Sequence, residues 1–215
     1  MTDIFDTQYE EFEIELDDNL VNKGDEVNLM SKDPTLSHIM VGMGWDLNAF
    51  DSDTLDLDVS CFLLDRDKKT RMNEDFVFYN NMHSLESAVV HNGDSRTGAG
   101  DGDDETISIG LQSIPLDVFR VVFVLSIYRG EENEQSLNKV RNCYFRLINQ
   151  ENSQELLRYE MTPDMDEKGE TAMIIGALKR EGPKWHFKVL GDCVEGGLGK
   201  IASDYDIIVQ GGSEF

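Results

Sequence analysis

Residues 121–128 read VVFVLSIY, a nearly unbroken apolar run of β-branched and aromatic side chains. A run this short and this apolar is typical of a β-strand that is covered on both faces. It predicts a strand at the centre of a sheet, with one packed layer on each side.

Further strand-like segments lie on both sides of this run. They are predicted at 57–64, 76–79, 106–109, 142–148, 156–159, 172–178 and 185–190, with a last segment at 207–209. Helical patterns are short and are confined to 134–140 and 198–204. Many short strands separated by polar turns, without βαβ alternation, predict a mainly β protein, a two-sheet β-sandwich with a few short helices.

The chain has 215 residues, which predicts one full-sized domain with an extension. We expect residues 1–19 to form an acidic N-terminal extension and residues 20–210 the sandwich domain. Within the extension, Phe12, Ile14 and Leu16 alternate with glutamates, the period of a half-buried strand. A disordered acidic tail is the alternative.

The charge balance narrows the classes of partner. Asp and Glu number 43 against 19 Lys and Arg, which gives a formal net charge of −24. Such a surface repels phosphate backbones and anionic lipid and attracts cations, so we expect neither a nucleic acid nor a membrane surface as partner. The sequence shows neither the roughly 20 apolar residues of an integral membrane segment nor a secretory signal. Three scattered cysteines (Cys61, Cys143 and Cys193) fit reduced thiols in a cytoplasmic protein.

The most unusual segment is the acidic loop, residues 91–105, which reads HNGDSRTGAGDGDDE. Its carboxylates are Asp94, Asp101, Asp103, Asp104 and Glu105, and the four glycines of the loop let the backbone fold tightly. Clustered carboxylates disfavour one another's ionisation, typically by about 1–3 pKa units. A calcium ion, which takes about 6–8 oxygen ligands, would relieve this repulsion. The EF-hand spacing is not present, and a merely solvated turn is the alternative.

A second acidic group leads into the strand predicted at 57–64. Asp56 and Asp58 are two residues apart and therefore project from one face of the sheet. An ion at that strand edge can be held by both, with the acidic loop closing over it. Asn80 and Asn81 follow an aromatic strand and can add neutral amide oxygens.

These motifs together resemble the TerD-type tellurium-resistance and stress-response family. The resemblance rests on GMGWD at 42–46, LDLDVS at 55–60, DFVFYNN at 75–81, the acidic loop at 91–105 and ETAM at 170–173. It implies a β-sandwich that binds calcium, in proteins linked to resistance against tellurite, phages and colicins and to general stress. By position it assigns the metal ligands to Asp56, Asp58, Asn80, Asn81, Asp94, Asp101, Asp103 and Asp104.

The resemblance also implies two calcium ions, and one ion is the alternative because Ser95 and Ala99 depart from the family pattern. We expect a binding or scaffold module of a stress-resistance protein complex, with no catalytic residues and no cofactor other than calcium. Two other hypotheses remain open. One is a metal-dependent hydrolase or phosphoesterase that uses the acidic loop, and the other is an acidic interaction protein without metal.

Overall fold

The computed structural model describes residues 19–47, 55–93, 102–165 and 169–207. In these ranges the strands are β1 (Leu20–Val21), β2 (Glu26–Asn28), β3 (His38–Leu47), β4 (Leu57–Leu64), β5 (Phe76–Val77), β6 (His83–Ser84), β7 (Val89–His91), β8 (Glu105–Gly110), β9 (Arg120–Ile127), β10 (Val140–Asn149), β11 (Glu155–Glu160), β12 (Ala172–Glu181) and β13 (Lys184–Val194). The α-helices are α1 (Leu29–Lys32), α2 (Thr162–Met165) and α3 (Gly197–Asp204).

The strands form two sheets. The first sheet has the order β1-β11-β10-β3-β8-β7-β6, and the second has the order β2-β13-β12-β9-β4-β5. All the pairings are antiparallel except that of β1 with β11. The inner faces of both sheets supply the main hydrophobic core, so the predicted β-sandwich is confirmed.

The strand predicted at 121–128 is β9, and it lies between β4 and β12 in the second sheet. Val121, Phe123 and Leu125 belong to the core between the sheets. Val122 and Val124 belong to a second cluster, in which α3 contributes Leu198, Ile201 and Ala202. Because both faces of β9 are covered, nearly every position in it must be apolar.

Other predictions from the sequence have mixed outcomes. The helix at 198–204 is confirmed as α3, whereas the helix at 134–140 is wrong, because only Leu137–Lys139 forms a single 3₁₀ turn there. Glu134 has a φ of 53°, a left-handed conformation that an α-helix does not accommodate. The strand at 76–79 is shortened to Phe76–Val77. The alternating segment at 12–16 and residues 208–209 lie outside the described residues.

The described part of the chain contains no helix that is both long and apolar enough to cross a membrane.

Candidate functional site

The acidic segments meet at one end of the sandwich, which we call the acidic end. β8 begins there with Glu105 opposite Met43 of β3, and β4 begins there with Leu57 opposite Ile127 of β9. β5 runs antiparallel to β4, toward the acidic end, and its last residue, Val77, is opposite Cys61. The antiparallel topology thus places the starts of β4 and β8 beside the turn that follows β5.

Glu105 and His91 connect the two sheets at the acidic end. The Oε2 atom of Glu105 accepts a hydrogen bond from the backbone N–H of Val59 at 2.6 Å. The Nε2 atom of His91 lies 3.1 Å from the carbonyl oxygen of Val59. Because that oxygen can only accept, Nε2 carries the hydrogen and leaves Nδ1 to accept from the backbone N–H of Gly93 at 3.3 Å. We call this arrangement the inter-sheet latch.

The latch replaces a missing strand. β5 pairs with β4 only at Cys61 and Phe62, so the backbone groups of Val59 on that edge have no strand beside them. Their hydrogen bonds go instead to side chains from β7 and β8 of the opposite sheet. Both side chains are buried, with residue exposures of 2% for His91 and 1% for Glu105. A buried backbone group left unpaired costs free energy, and this explains why two polar side chains lie between the sheets.

Asp103 is held on the outer face of the first sheet. Its carboxylate accepts from Arg146 through Nε at 2.8 Å and through Nη2 at 3.0 Å, a bidentate ion pair. The hydroxyl of Tyr144 lies 3.1 Å from the same carboxylate. A Cβ atom on Gly42 would lie only 2.2 Å from Oδ2 of Asp103, so a larger residue at position 42 would displace this carboxylate. Hydrogen bonding to Asp103 raises the pKa of Arg146, and burial opposes that rise.

Asp104 is held at the end of β3. Its backbone N–H donates to the carbonyl oxygen of Met43 at 2.8 Å, and its Oδ2 accepts from the backbone N–H of Trp45 at 2.9 Å. Burial raises the pKa of Asp104, and the neighbouring carboxylates of Asp103 and Asp46 raise it further. The hydrogen bond from Trp45 opposes this rise but does not cancel it.

Asp56 and Asp58 lie on the second sheet. Asp58 is 5% exposed and alternates with Leu57 and Val59, which face the main core, so its side chain lies on the outer face. Ser126 is opposite Asp58 in the strand register, and it is also buried. The backbone oxygen of Asp56 accepts from the N–H of Tyr128 at 2.8 Å, which fixes the start of β4 against the end of β9.

Ser60 extends this polar group along the same face of β4. It is fully buried, and its hydroxyl has no hydrogen-bond partner among the described residues. Asp58, Ser60 and Ser126 therefore present only oxygen atoms, the donor type that hard cations such as calcium prefer. The residues present fit a calcium ion in chemical type.

Asn80 and Asn81 form part of the turn that follows β5. Phe78 and Asn81 exchange backbone hydrogen bonds at 3.1 and 2.9 Å, which places Tyr79 and Asn80 at the tip. The side-chain amide of Asn81 donates to the carbonyl oxygen of Phe76 at 2.6 Å. Asn80 is exposed. The Tyr79 ring makes an edge contact with the ring of Tyr128, at 5.8 Å between centroids, so this turn lies beside the start of β4.

The structure divides the predicted ligands into two groups. Asp56, Asp58, Asn80 and Asn81 belong to the second sheet, whereas Asp103 and Asp104 are bonded to the first sheet. Packed sheets are about 10 Å apart, and calcium–oxygen distances are only about 2.3–2.6 Å. One ion therefore cannot bind both Asp58 and Asp103 while they keep these positions. Asp94 and Asp101 lie outside the described residues, and in the described ranges no three or more His, Cys, Asp or Glu side chains are grouped to hold a metal.

Some residues of this end were not singled out from the sequence. Arg146 and Tyr144 are more than forty positions from Asp103 in the chain, so no local pattern connects them. The sequence does contain one indication of these contacts, namely the two glycines Gly42 and Gly44 inside β3. A Cβ atom on Gly44 would lie 2.6 Å from the ring of Tyr144, and a glycine within a strand often marks such a close approach.

The fold and the acidic end together define a class of protein, a β-sandwich with carboxylates from both sheets gathered at one end. The chain belongs to the TerD domain family, whose model matches residues 19–205. It is similar to the tellurium resistance protein TerD of Serratia marcescens, with 40% identity over 187 residues, which cover 87% of this chain and 96% of that protein.

Another relative is general stress protein 16U of Bacillus subtilis, with 40% identity over 188 residues, again 87% of this chain and 96% of the relative. The fold matches the crystal structure of a TerD homologue from Streptomyces coelicolor A3(2) with a TM-score of 0.64 and 19% identity. That match covers 78% of this chain and 95% of the homologue.

Proposed function

We propose that this protein binds calcium at its acidic end and acts as a non-enzymatic binding or scaffold module in resistance to tellurite and related stress. The observation that carries the proposal is the buried oxygen-only group of Asp58, Ser60 and Ser126. It lies at the start of β4, beside the turn that contains Asn80 and Asn81. The names of the relatives from Serratia marcescens and Bacillus subtilis support the link to tellurium resistance and stress.

The proposed ligands fall into two sets. Asp56, Asp58, Asn80 and Asn81 belong to the second sheet and the turn that follows β5, and the proposal adds Asp94 and Asp101 of the acidic loop, which lie outside the described residues. Asp103 and Asp104 already have partners in the first sheet, so they act as ligands only if a second ion replaces those partners. Two ions use both sets, and one ion uses the first set alone.

Bound calcium would supply positive charge without chemistry of its own. The ion would neutralise neighbouring carboxylates, whose mutual repulsion otherwise opposes folding of the acidic end. A ligand that binds only the folded state stabilises it by about 2.7 kcal/mol when its concentration is one hundred times Kd. Calcium would thus order a surface that other stress-resistance proteins in the cytoplasm recognise.

Thermal unfolding of chelator-stripped protein with and without calcium tests this proposal. We expect calcium to raise the melting temperature of the wild type, and Asp58→Asn to remove most of that rise because a charged ligand is lost. Asp67→Asn is the matched control, since Asp67 is an exposed residue in the turn beyond the opposite end of β4. Its calcium response should equal that of the wild type.

Two outcomes would contradict the proposal. One is a wild-type melting temperature that saturating calcium leaves unchanged. The other is an equal loss of response in both variants, which would indicate a general effect of surface charge. Turnover of a phosphoester with magnesium, abolished by Asp58→Asn, would replace the binding module with a metal-dependent hydrolase.

A further inference from the structure

Three consecutive carboxylates end the acidic loop, and each is bonded to a different strand. Asp103 is bonded to Arg146 of β10, Asp104 to the backbone of Trp45 in β3, and Glu105 to the backbone of Val59 in β4. The three strands come from both sheets. Each of the three carboxylates is therefore bonded to a different strand. Without these partners, the three adjacent negative charges would repel one another.

Asp103 is held by a side chain, the guanidinium of Arg146, whereas Asp104 and Glu105 are held by backbone N–H groups. Arg146 faces the carboxylate with two donors, and its Nη1 lies 3.2 Å from Glu155 of β11, which holds the guanidinium from its other side. The side chain of Asp103 is 7% exposed and that of Arg146 is 28% exposed. Tyr144 adds a hydroxyl at 3.0 Å from the carbonyl oxygen of Gly102. A carboxylate that is this buried needs a charged partner to remain in place.

The backbone at the other end of the acidic loop is fixed as well. The N–H of Asn92 donates to the carbonyl oxygen of Thr106 at 2.9 Å, and the Asn92 side-chain amide donates to Ser108 at 2.9 Å. His91 belongs to the inter-sheet latch. Both stems of the loop therefore have defined positions without any metal ligand.

We propose that Arg146 is a positioning residue of the acidic end. By holding Asp103 on the outer face of the first sheet, it fixes residues 102–105, the C-terminal stem of the acidic loop, and the calcium site proposed above depends on that stem. The effect on calcium rests on the proposed function, whereas the anchoring of the stem does not. Arg146 itself touches no ion, because its positive charge excludes it as a ligand.

Two substitutions break the anchor by different routes. Arg146→Met removes the partner of Asp103 and keeps an unbranched apolar stem. Gly42→Ala keeps every charge, but its Cβ would occupy the position of the Asp103 carboxylate. The matched controls are Arg66→Met and Gly110→Ala. Arg66 is exposed in the turn that follows β4, where its guanidinium lies over the ring of Phe119, while a Cβ on Gly110 would meet its nearest atom at an ordinary 3.5 Å.

The first measurement is hydrogen exchange in chelator-stripped protein, read at the backbone amides of residues 102–106. We expect faster exchange in Arg146→Met and Gly42→Ala, because a stem without its anchor opens locally. Exchange should stay at the wild-type rate in both controls. Unchanged exchange in Arg146→Met and Gly42→Ala would overturn the proposal, as would equal acceleration in the controls.

The second measurement is the calcium affinity of the same variants. We expect Arg146→Met and Gly42→Ala to weaken it by about 10-fold, the range found when groups that orient metal ligands are removed. The controls should stay within about twofold of the wild type. Wild-type affinity in Arg146→Met, together with accelerated exchange, would overturn its role in positioning the site. If the wild type itself binds no calcium, the proposed function fails, and hydrogen exchange alone decides whether the anchor exists.

Discussion

Asp104 illustrates how one residue can oppose folding when no cation is bound. Burial raises its pKa, and the carboxylates of Asp103 and Asp46 raise it further. Between the ordinary pKa and this raised value, the folded protein holds a proton that the unfolded chain has released. Stability therefore falls as the pH increases through that window. Once the carboxylate is charged in both states, it is less well solvated in the folded one.

Asp104→Asn is predicted to stabilise the metal-free protein at pH 7. The amide oxygen still accepts from the backbone N–H of Trp45, while the partly desolvated charge is removed. The gain should shrink as the pH falls through the raised pKa, because Asp104 then becomes neutral in the wild type as well. Melting temperatures measured in chelator from pH 7 down to pH 4 test this. A variant less stable than the wild type at pH 7 would contradict the account.

At the scale of elements, the inter-sheet latch takes the place of strand pairing along β4. Val59 has both of its edge-facing backbone groups satisfied by side chains of the opposite sheet. The latch is thus a cross-link between the sheets at the acidic end, where β5 has already stopped. Loss of either side chain leaves a buried backbone group without a partner.

His91→Phe is predicted to destabilise the protein by about 1–3 kcal/mol, the cost of leaving a buried polar group unsatisfied. Phenylalanine is close to histidine in shape but cannot donate to the carbonyl oxygen of Val59. Urea unfolding of the metal-free protein measures the change. His83→Phe is the control, because His83 is exposed on β6 and its loss should matter little. Equal stability of the two variants would mean that the latch contributes nothing.

The strands whose positions are predicted correctly are those decided by local pattern. β9 has a long apolar run because both of its faces are covered, and β4 alternates Leu57, Val59 and Cys61 with Asp58 and Ser60. Both patterns are readable without knowing the partner strands. β3 was not predicted, because Gly42 and Gly44 interrupt its alternation. Those glycines leave room for the side chains of Asp103 and Tyr144, which are distant in the chain. The pattern in β3 is therefore set by tertiary contacts.

The candidate site is predictable to a similar degree. The sequence predicts Asp56 and Asp58 as neighbours on one face of a strand, and the structure places Asp58 in β4 and Asp56 directly before it. It also predicts Asp103 and Asp104 as ligands of the same site. The structure separates these two residues from Asp58, because both are bonded to the first sheet. Residue spacing alone does not reveal that Arg146 would approach from β10. Whether Asp56, Asp58, Asn80, Asn81, Asp94, Asp101, Asp103 and Asp104 bind calcium stays a prediction.

At the scale of the whole molecule, the net charge of −24 opposes the compact state through self-repulsion. Part of that charge is gathered at the acidic end, where carboxylates of both sheets meet. Monovalent salt screens such repulsion, with a Debye length that falls from about 30 Å at 0.01 M to about 8 Å at 0.15 M. Screening acts on the whole surface, whereas a bound ion acts at one site.

Sodium chloride is accordingly predicted to raise the melting temperature of the metal-free protein between 0.01 and 0.15 M. Calcium at millimolar concentration should add a further rise at constant ionic strength, because it binds a defined site. Thermal unfolding in matched sodium and calcium solutions separates the two effects. If the calcium effect disappeared at matched ionic strength, screening alone would explain it.

The most direct test of calcium binding is isothermal titration of the chelator-stripped protein with calcium, repeated with magnesium. The account predicts saturable binding of one or two calcium ions and clearly weaker binding of magnesium, which prefers fewer protein ligands and more retained water. Absence of calcium binding, or binding of magnesium alone, would contradict it.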